Sequence, residues 1–174
     1  MRLWLLRHAK SSWDDPTARD EDRSLAPRGE RAAERIREHL EAIDVRPELV
    51  LCSSALRARQ TLARVLPALG PALEVRIEPI LYTFDAAVVR ARLGAVAFEV
   101  SSVLVVGHNP ALEELAMQMA DRGDRLRDLS QKFPTAGLAE ITLDAGSWDT
   151  IAEQPGELTR FVVPKDLSER DPTG

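Results

Sequence analysis

Short apolar runs without polar interruption recur along this chain, separated by stretches of helical periodicity, and this alternation constrains the fold most tightly. Residues 2–6 form the first run, with Trp4 and Leu6 facing one side of a strand and Leu3 and Leu5 the other. A strand apolar on both faces is one buried on both faces, as in parallel sheets. Residues 49–52 and 103–106 repeat the pattern, the latter being the clearest strand in the sequence. Residues 75–77, 139–143, 150–151 and 158–163 are further strand candidates, the last three nearer an edge. Pro27 stands where a helix starts, since its fixed φ suits the first turn. Ala32, Ala33, Ile36, Leu40 and Ile43 follow it at three- and four-residue steps. A second helix begins near Leu56 and carries Leu62, Val65, Leu66 and Leu69 to a stop at Gly70-Pro71. Residues 86–93 read as a short helix. Asn109 stands as an N-cap before Pro110, with Leu112, Leu115, Ala116 and Met119 as the buried stripe and Met117 also packed. Trp4 and Trp148 read as core residues, and the charged residues 121–128 as a solvated loop. The whole pattern predicts an α/β fold, a three-layer α/β/α sandwich with a mostly parallel central sheet. A length of 174 residues suits a single domain over 1–163, followed by a polar tail at 164–174.

Charge narrows the partners. Lys and Arg total 23 against 28 Asp and Glu, a net −5 that gives no overall attraction to nucleic acid or an anionic membrane. Cys52 is the only cysteine, so no internal disulfide forms, which favours a reducing compartment. No apolar stretch approaches membrane-spanning length, and the opening residues lack a signal-peptide pattern. These features predict a cytoplasmic monomer with neither nucleic acid nor membrane as partner.

The chemistry collects where the strands stop. Arg7-His8 ends the first run, Ser53-Ser54 leads from the second to Arg57, and His108-Asn109 ends the clearest one. Ligands of open α/β sheets bind outside the carboxyl ends of the strands, so parallel neighbours would bring these groups into one crevice. Arg57 in the first turn of a helix, and His108 just before another, stand where unpaired N–H groups favour an anion. Two of the chain's three histidines close buried strands; the third, His39, lies mid-helix and reads as an ordinary, partly exposed residue. Zinc would want more ligands than these histidines offer, and no His-x-x-x-His or paired-cysteine spacing exists. No Gly-x-Ser-x-Gly elbow and no glycine-rich phosphate loop is present. No metal and no other cofactor is therefore expected.

Leu5-Leu6-Arg7-His8-Ala9-Lys10 resembles the Arg-His-Gly signature of the histidine phosphatase (phosphoglycerate mutase-like) superfamily, with Ala9 in place of glycine. The stretch from Ser53 through Arg57 to Thr61 is similar to that superfamily's second arginine motif, and Val106-Gly107-His108-Asn109-Pro110 to its second histidine motif. Order and spacing agree over residues 1–143, and the Arg-His-Ala-Lys-Ser-Ser-Trp opening most resembles the SixA-like phosphohistidine phosphatases. The resemblance implies a phosphoglycerate mutase-like fold and a covalent phosphohistidine on His8. Arg7 and Arg57 would clamp the phosphoryl oxygens, and His108, as imidazolium once phosphate is bound, would stabilise their charge. These roles suit phosphoryl transfer, which asks mainly for positioning and positive charge. Phosphate or sulfate would be expected to occupy such a site.

Two positions depart from the family's pattern. Asp14 stands where many members have asparagine, and either points away, pairs with a cation such as Lys10, or carries the proton. The usual general acid is a glutamate after the third strand; Glu78 is the nearest match, with Tyr82 and Asp85 close by, and the sequence does not choose between them. Lys10, Ser11 and Trp13 would line the mouth of the cleft. A site without a strong acid would favour phosphohistidine, since imidazole leaves more readily than an alkoxide. The expected substrate is thus a phosphohistidine protein or a small phosphorylated compound. A general phosphomonoester or sugar-phosphate phosphatase is the alternative on the same site. A mutase would need covering segments larger than residues 14–24 and 121–132 provide. A non-catalytic phosphoprotein-binding module would not need all four groups.

Overall fold

The structure, a computed structural model, describes residues 1–151 and 155–167. The apolar runs form β1 (Arg2–Arg7), β2 (Leu49–Ser53) and β4 (Ser102–Gly107), with β3 (Glu74–Glu78) between the last two in sequence. β5 (Ala120–Arg122), β6 (Leu138–Thr142) and β7 (Gly156–Val162) complete a seven-stranded sheet in the order β3-β2-β4-β1-β6-β7-β5. All neighbours pair in parallel except β6, which runs antiparallel to both β1 and β7.

Helices α1 (Pro27–Ala42) and α2 (Leu56–Val65) cover one face. Beneath them Trp4, Leu6, Val50, Cys52, Leu104 and Val106 pack into one core layer. The other face carries α3 (Ala86–Gly94), α4 (Ala111–Met119) and α5 (Leu126–Gln131) over Leu3, Leu5, Leu51 and Val105. Each strand thus sends alternate residues into each layer, which is why residues 3–6, 49–52 and 103–106 contain no charged position. At about 1.5–3 kcal/mol per buried aliphatic side chain, these strands are the most heavily anchored part of the molecule.

Register places the chemistry. Arg7 lies opposite Gly107, and Cys52 opposite Val106, so β1, β4 and β2 end level with one another. The ladder continues one residue further, with the His8 amide donating to the Gly107 carbonyl at 3.0 Å.

Several local expectations are corrected. Residues 150–151 are not a strand: Trp148–Thr150 is a 3₁₀ turn that buries Trp148, whose indole N–H donates to the Val100 carbonyl at 2.6 Å. Residues 121–128 are not a free loop, for they include the end of β5 and the start of α5, where Leu129 is buried among outward-facing charges. Asn109 does not cap α4; its amide N–H₂ donates to Glu113 and to the Phe133 carbonyl, so the helix begins at Ala111. Leu66 leaves the apolar face because α2 tightens there into a 3₁₀ turn, and Met117 points outward from α4. The expected tail is tied down as far as it is described: Asp166 pairs with Arg125 and Leu167 packs on the core, while residues 168–174 lie outside the described residues. No helix among the described residues is long and apolar enough to cross a membrane.

Candidate active site

His8 and His108 leave the tips of β1 and β4 with ring centroids 4.9 Å apart. His8 Nδ1 lies 2.7 Å from the Ala9 carbonyl, an acceptor only, so Nδ1 carries the proton and Nε2 keeps its lone pair. Into that lone pair points Arg57 Nε, at 3.3 Å. Thr61 fixes the pair from behind: its hydroxyl accepts from the Ala9 amide at 3.0 Å and donates to the Arg57 carbonyl at 2.7 Å. Ala136, in the left-handed region at φ 57°, gives its amide to the Arg7 and His8 carbonyls.

Ser53, at the tip of β2, sits 2.8 Å from His108 Nε2. With the Ser53 hydroxyl donating there, Nδ1 of a neutral His108 carries a hydrogen, and that buried nitrogen has no protein partner. The rings of Tyr82 and Phe84 stand edge-on to His108 at 5.4 and 5.8 Å. Both histidines titrate far below their ordinary value. Burial is the larger cause for each, with the neighbouring arginines adding to it, bringing His8 to about 4 and His108 to about 3. His108 is therefore a neutral imidazole here, and imidazolium would form only beside an anion.

Arg57 has a second anchor that the sequence did not suggest. Its terminal nitrogens donate to the Asp20 carbonyl and, at 2.9 Å, to the Asp20 carboxylate. The same carboxylate receives the Tyr82 hydroxyl at 2.6 Å and Arg23 at 3.2 Å. The Tyr82 hydrogen bond, followed by those of Arg57 and Arg23, holds the Asp20 carboxyl below the usual carboxylate range. Burial and that same hydrogen bond raise Tyr82.

The remaining expected residues fall in several places. Arg7 donates to the Phe133 carbonyl at 2.6 Å, and its Nε is buried without a partner. Tyr82 reaches the site through Asp20 and His108. Ser11 is buried one layer out, accepting from Arg23 at 3.1 Å. Lys10 points into a neighbouring cavity. Asp14 is exposed and accepts from Ser12 at 2.6 Å, pairing with no cation. Glu78, the nearest match for the acid, is gripped by Arg92 through two contacts of 2.6 and 2.7 Å, a bidentate ion pair. Trp13 lies 72% exposed under the Arg23 guanidinium. Asp20 and Phe84 are neighbours of the site that lie in no motif, and Thr61 closes the second arginine motif without having been assigned a role there.

Comparison with known proteins agrees with this geometry. The model of the histidine phosphatase superfamily (branch 1) matches residues 3–93, a stretch that includes His8 and Arg57 and stops before His108. An uncharacterised protein of Mycobacterium leprae is 37% identical over 171 residues, covering 92% of this chain and all of that protein. Phosphohistidine phosphatase SixA of Escherichia coli is 31% identical over 146 residues, covering 83% of this chain and 86% of its own length. The solved structure of the protein histidine phosphatase SixA complexed with tungstate superposes with a TM-score of 0.78 at 28% identity, covering 97% of this chain and 100% of that one. Motifs, strand-tip geometry and relatives agree: the chain belongs to the histidine phosphatase superfamily and is a SixA-like hydrolytic phosphatase.

Proposed function

We propose that this phosphatase hydrolyses phosphohistidine on a protein, through a phosphoryl group carried on His8. The Nε2 lone pair of His8 attacks phosphorus while the bond from phosphorus to the substrate imidazole breaks, and the departing imidazole takes a proton from water. Water then attacks the phosphoryl group on His8, its proton neutralising the hydroxide left by the first step, and phosphate departs as the electron pair returns to Nε2. Arg7 and Arg57 hold the phosphoryl oxygens, and His108 Nδ1 donates to a third.

One observation supports this substrate over a phosphate ester: each carboxyl considered as the acid is already committed. The Tyr82 hydrogen bond, with those of Arg57 and Arg23, holds Asp20 ionised; Arg92 grips Glu78 through two contacts; Asp85 caps α3, accepting from the Ala87 amide at 2.8 Å; and Asp14 stays in its own exposed loop. General acid catalysis contributes about a hundredfold or more, and an alkoxide leaving group needs it far more than imidazole does.

The test is a direct comparison by one preparation of a histidine-phosphorylated protein, a sugar phosphate and an aryl phosphate. The reading predicts a kcat/KM for the phosphohistidine protein roughly a hundredfold or more above that for the sugar phosphate. Equal or faster turnover of the sugar phosphate would defeat it.

A further inference from the structure

Beside the histidine pair lies a cavity of about 500 Å³ whose lining includes Arg7, Lys10, Arg28, Lys132 and Lys165 and, among the described residues, no carboxylate. The chain as a whole carries net −5 and has only three lysines. All three, from separate segments, converge here. Arginines elsewhere are mostly neutralised, as in Arg37 with Glu34 and Glu41, Arg92 with Glu78, or Arg125 with Asp128 and Asp166. Among the described residues, the side chains of Lys10, Arg28, Lys132 and Lys165 have no hydrogen-bonding or ion-pair partner. Like charges gathered without counter-charge repel, and an anion in the cavity removes that cost.

Topology says what kind of anion. Arg7 and Lys10 flank His8, so the cavity shares a residue with the phosphoryl clamp. It opens on the β6–β7 side of β1, between the segment entering β6 and the segment leaving β7. The β3 side carries a different surface, with Ile80 57% and Phe84 52% exposed, Phe84 beside His108. A phosphoryl group bound at His8 is therefore flanked by an apolar lip on one side and a cationic hollow on the other. Together these surfaces suit a macromolecular substrate, and lysines, as mobile point charges, suit carboxylates whose positions vary.

Resting on the proposed phosphohistidine substrate, we infer that this cavity receives acidic side chains flanking the phosphohistidine of the phosphoprotein, with Lys132, Lys165 and Arg28 setting specificity. The experiment uses histidine-phosphorylated peptides flanked by two aspartates or by two asparagines, phosphoimidazole as a substrate with no flank, and fructose bisphosphate. In the native enzyme the aspartate peptide should have a KM about tenfold below the asparagine peptide, the preference fading as salt rises. Lys132→Gln/Lys165→Gln should erase that preference while leaving kcat on phosphoimidazole, which reaches no further than the phosphoryl site. Arg28→Gln provides an independent second variant. An aspartate preference that survives all these substitutions overturns the inference, as does an equal loss on phosphoimidazole. A rise in KM for fructose bisphosphate alone would also overturn it, assigning the second anion to a small molecule. Turnover of phosphoimidazole and fructose bisphosphate with none of either peptide would instead remove the proposed function, and this inference with it.

Discussion

His8 and His108 hold protons weakly because burial penalises their charged forms, and this couples the chemistry of the site to the stability of the chain. Unfolded, both titrate near 6.5; folded, at about 4 and about 3. Above pH 6.5 both are neutral in either state, so stability from this source is fully present there. As pH falls from 6.5 toward 4, the unfolded chain binds more protons and stability drops, by roughly 3 kcal/mol for His8 alone at pH 4. A bound oxyanion opposes that drop by favouring imidazolium. Thermal unfolding should therefore show a midpoint that declines from pH 7 to pH 4.5 and declines less with tungstate present; a midpoint flat in both would contradict the assignment. Asp20 belongs to the same scale. Its carboxylate orients Arg57, so Asp20→Asn should lower kcat/KM on phosphoimidazole roughly tenfold, and Tyr82→Phe by less. Neither should shift the alkaline limb of the pH profile, which would move only if Asp20 supplied the proton. Nothing local in the acidic run from Asp14 to Asp22 distinguishes Asp20; its role comes from a fold that lays the run across Arg57.

At the scale of elements, α1 docks its first turn against the backbone that follows His8. A Cβ on Gly29 would lie 2.1 Å from the Lys10 carbonyl oxygen, a backbone atom that cannot swing aside. Gly29→Ala should destabilise the protein by about 2 kcal/mol or more and misplace Ala9 and His8. Gly146→Ala, with nothing within 4 Å of the added carbon, should leave stability and activity near native. Denaturant titration of the two variants separates these outcomes. The same scale shows why some elements were readable and others not. β1, β2 and β4 are buried on both faces, so their burial is written as uninterrupted apolar residues. α5 buries one side of a short helix, so Leu129 is masked by Asp128, Arg127 and Arg125 around it. Residues 150–151 read as a strand because Ile151 is apolar and buried, yet Trp148 achieves that burial from a turn.

Across the whole molecule, the site exists because separate segments end level at one edge of a parallel sheet, and register is what makes them level. The strand-tip positions of His8, Ser53 and His108 could be anticipated from the apolar runs alone. The supports could not, for Thr61, Ala136 and Asp20 reach the site only through the packing of helices and connections over the sheet. The same assembly gathers the chain's three lysines at one hollow in a protein that is acidic overall. The central claim is that this edge delivers a phosphoryl group to His8 and to no other side chain. Peptide mapping of the phosphoenzyme, quenched in base during turnover of a phosphohistidine peptide, tests it most directly. The account predicts a phosphoryl group on His8, stable in base, lost in acid and absent from His8→Ala, whose turnover falls by roughly 10⁴-fold or more. A phosphoryl group mapped to another residue, or near-native turnover by His8→Ala, would contradict it.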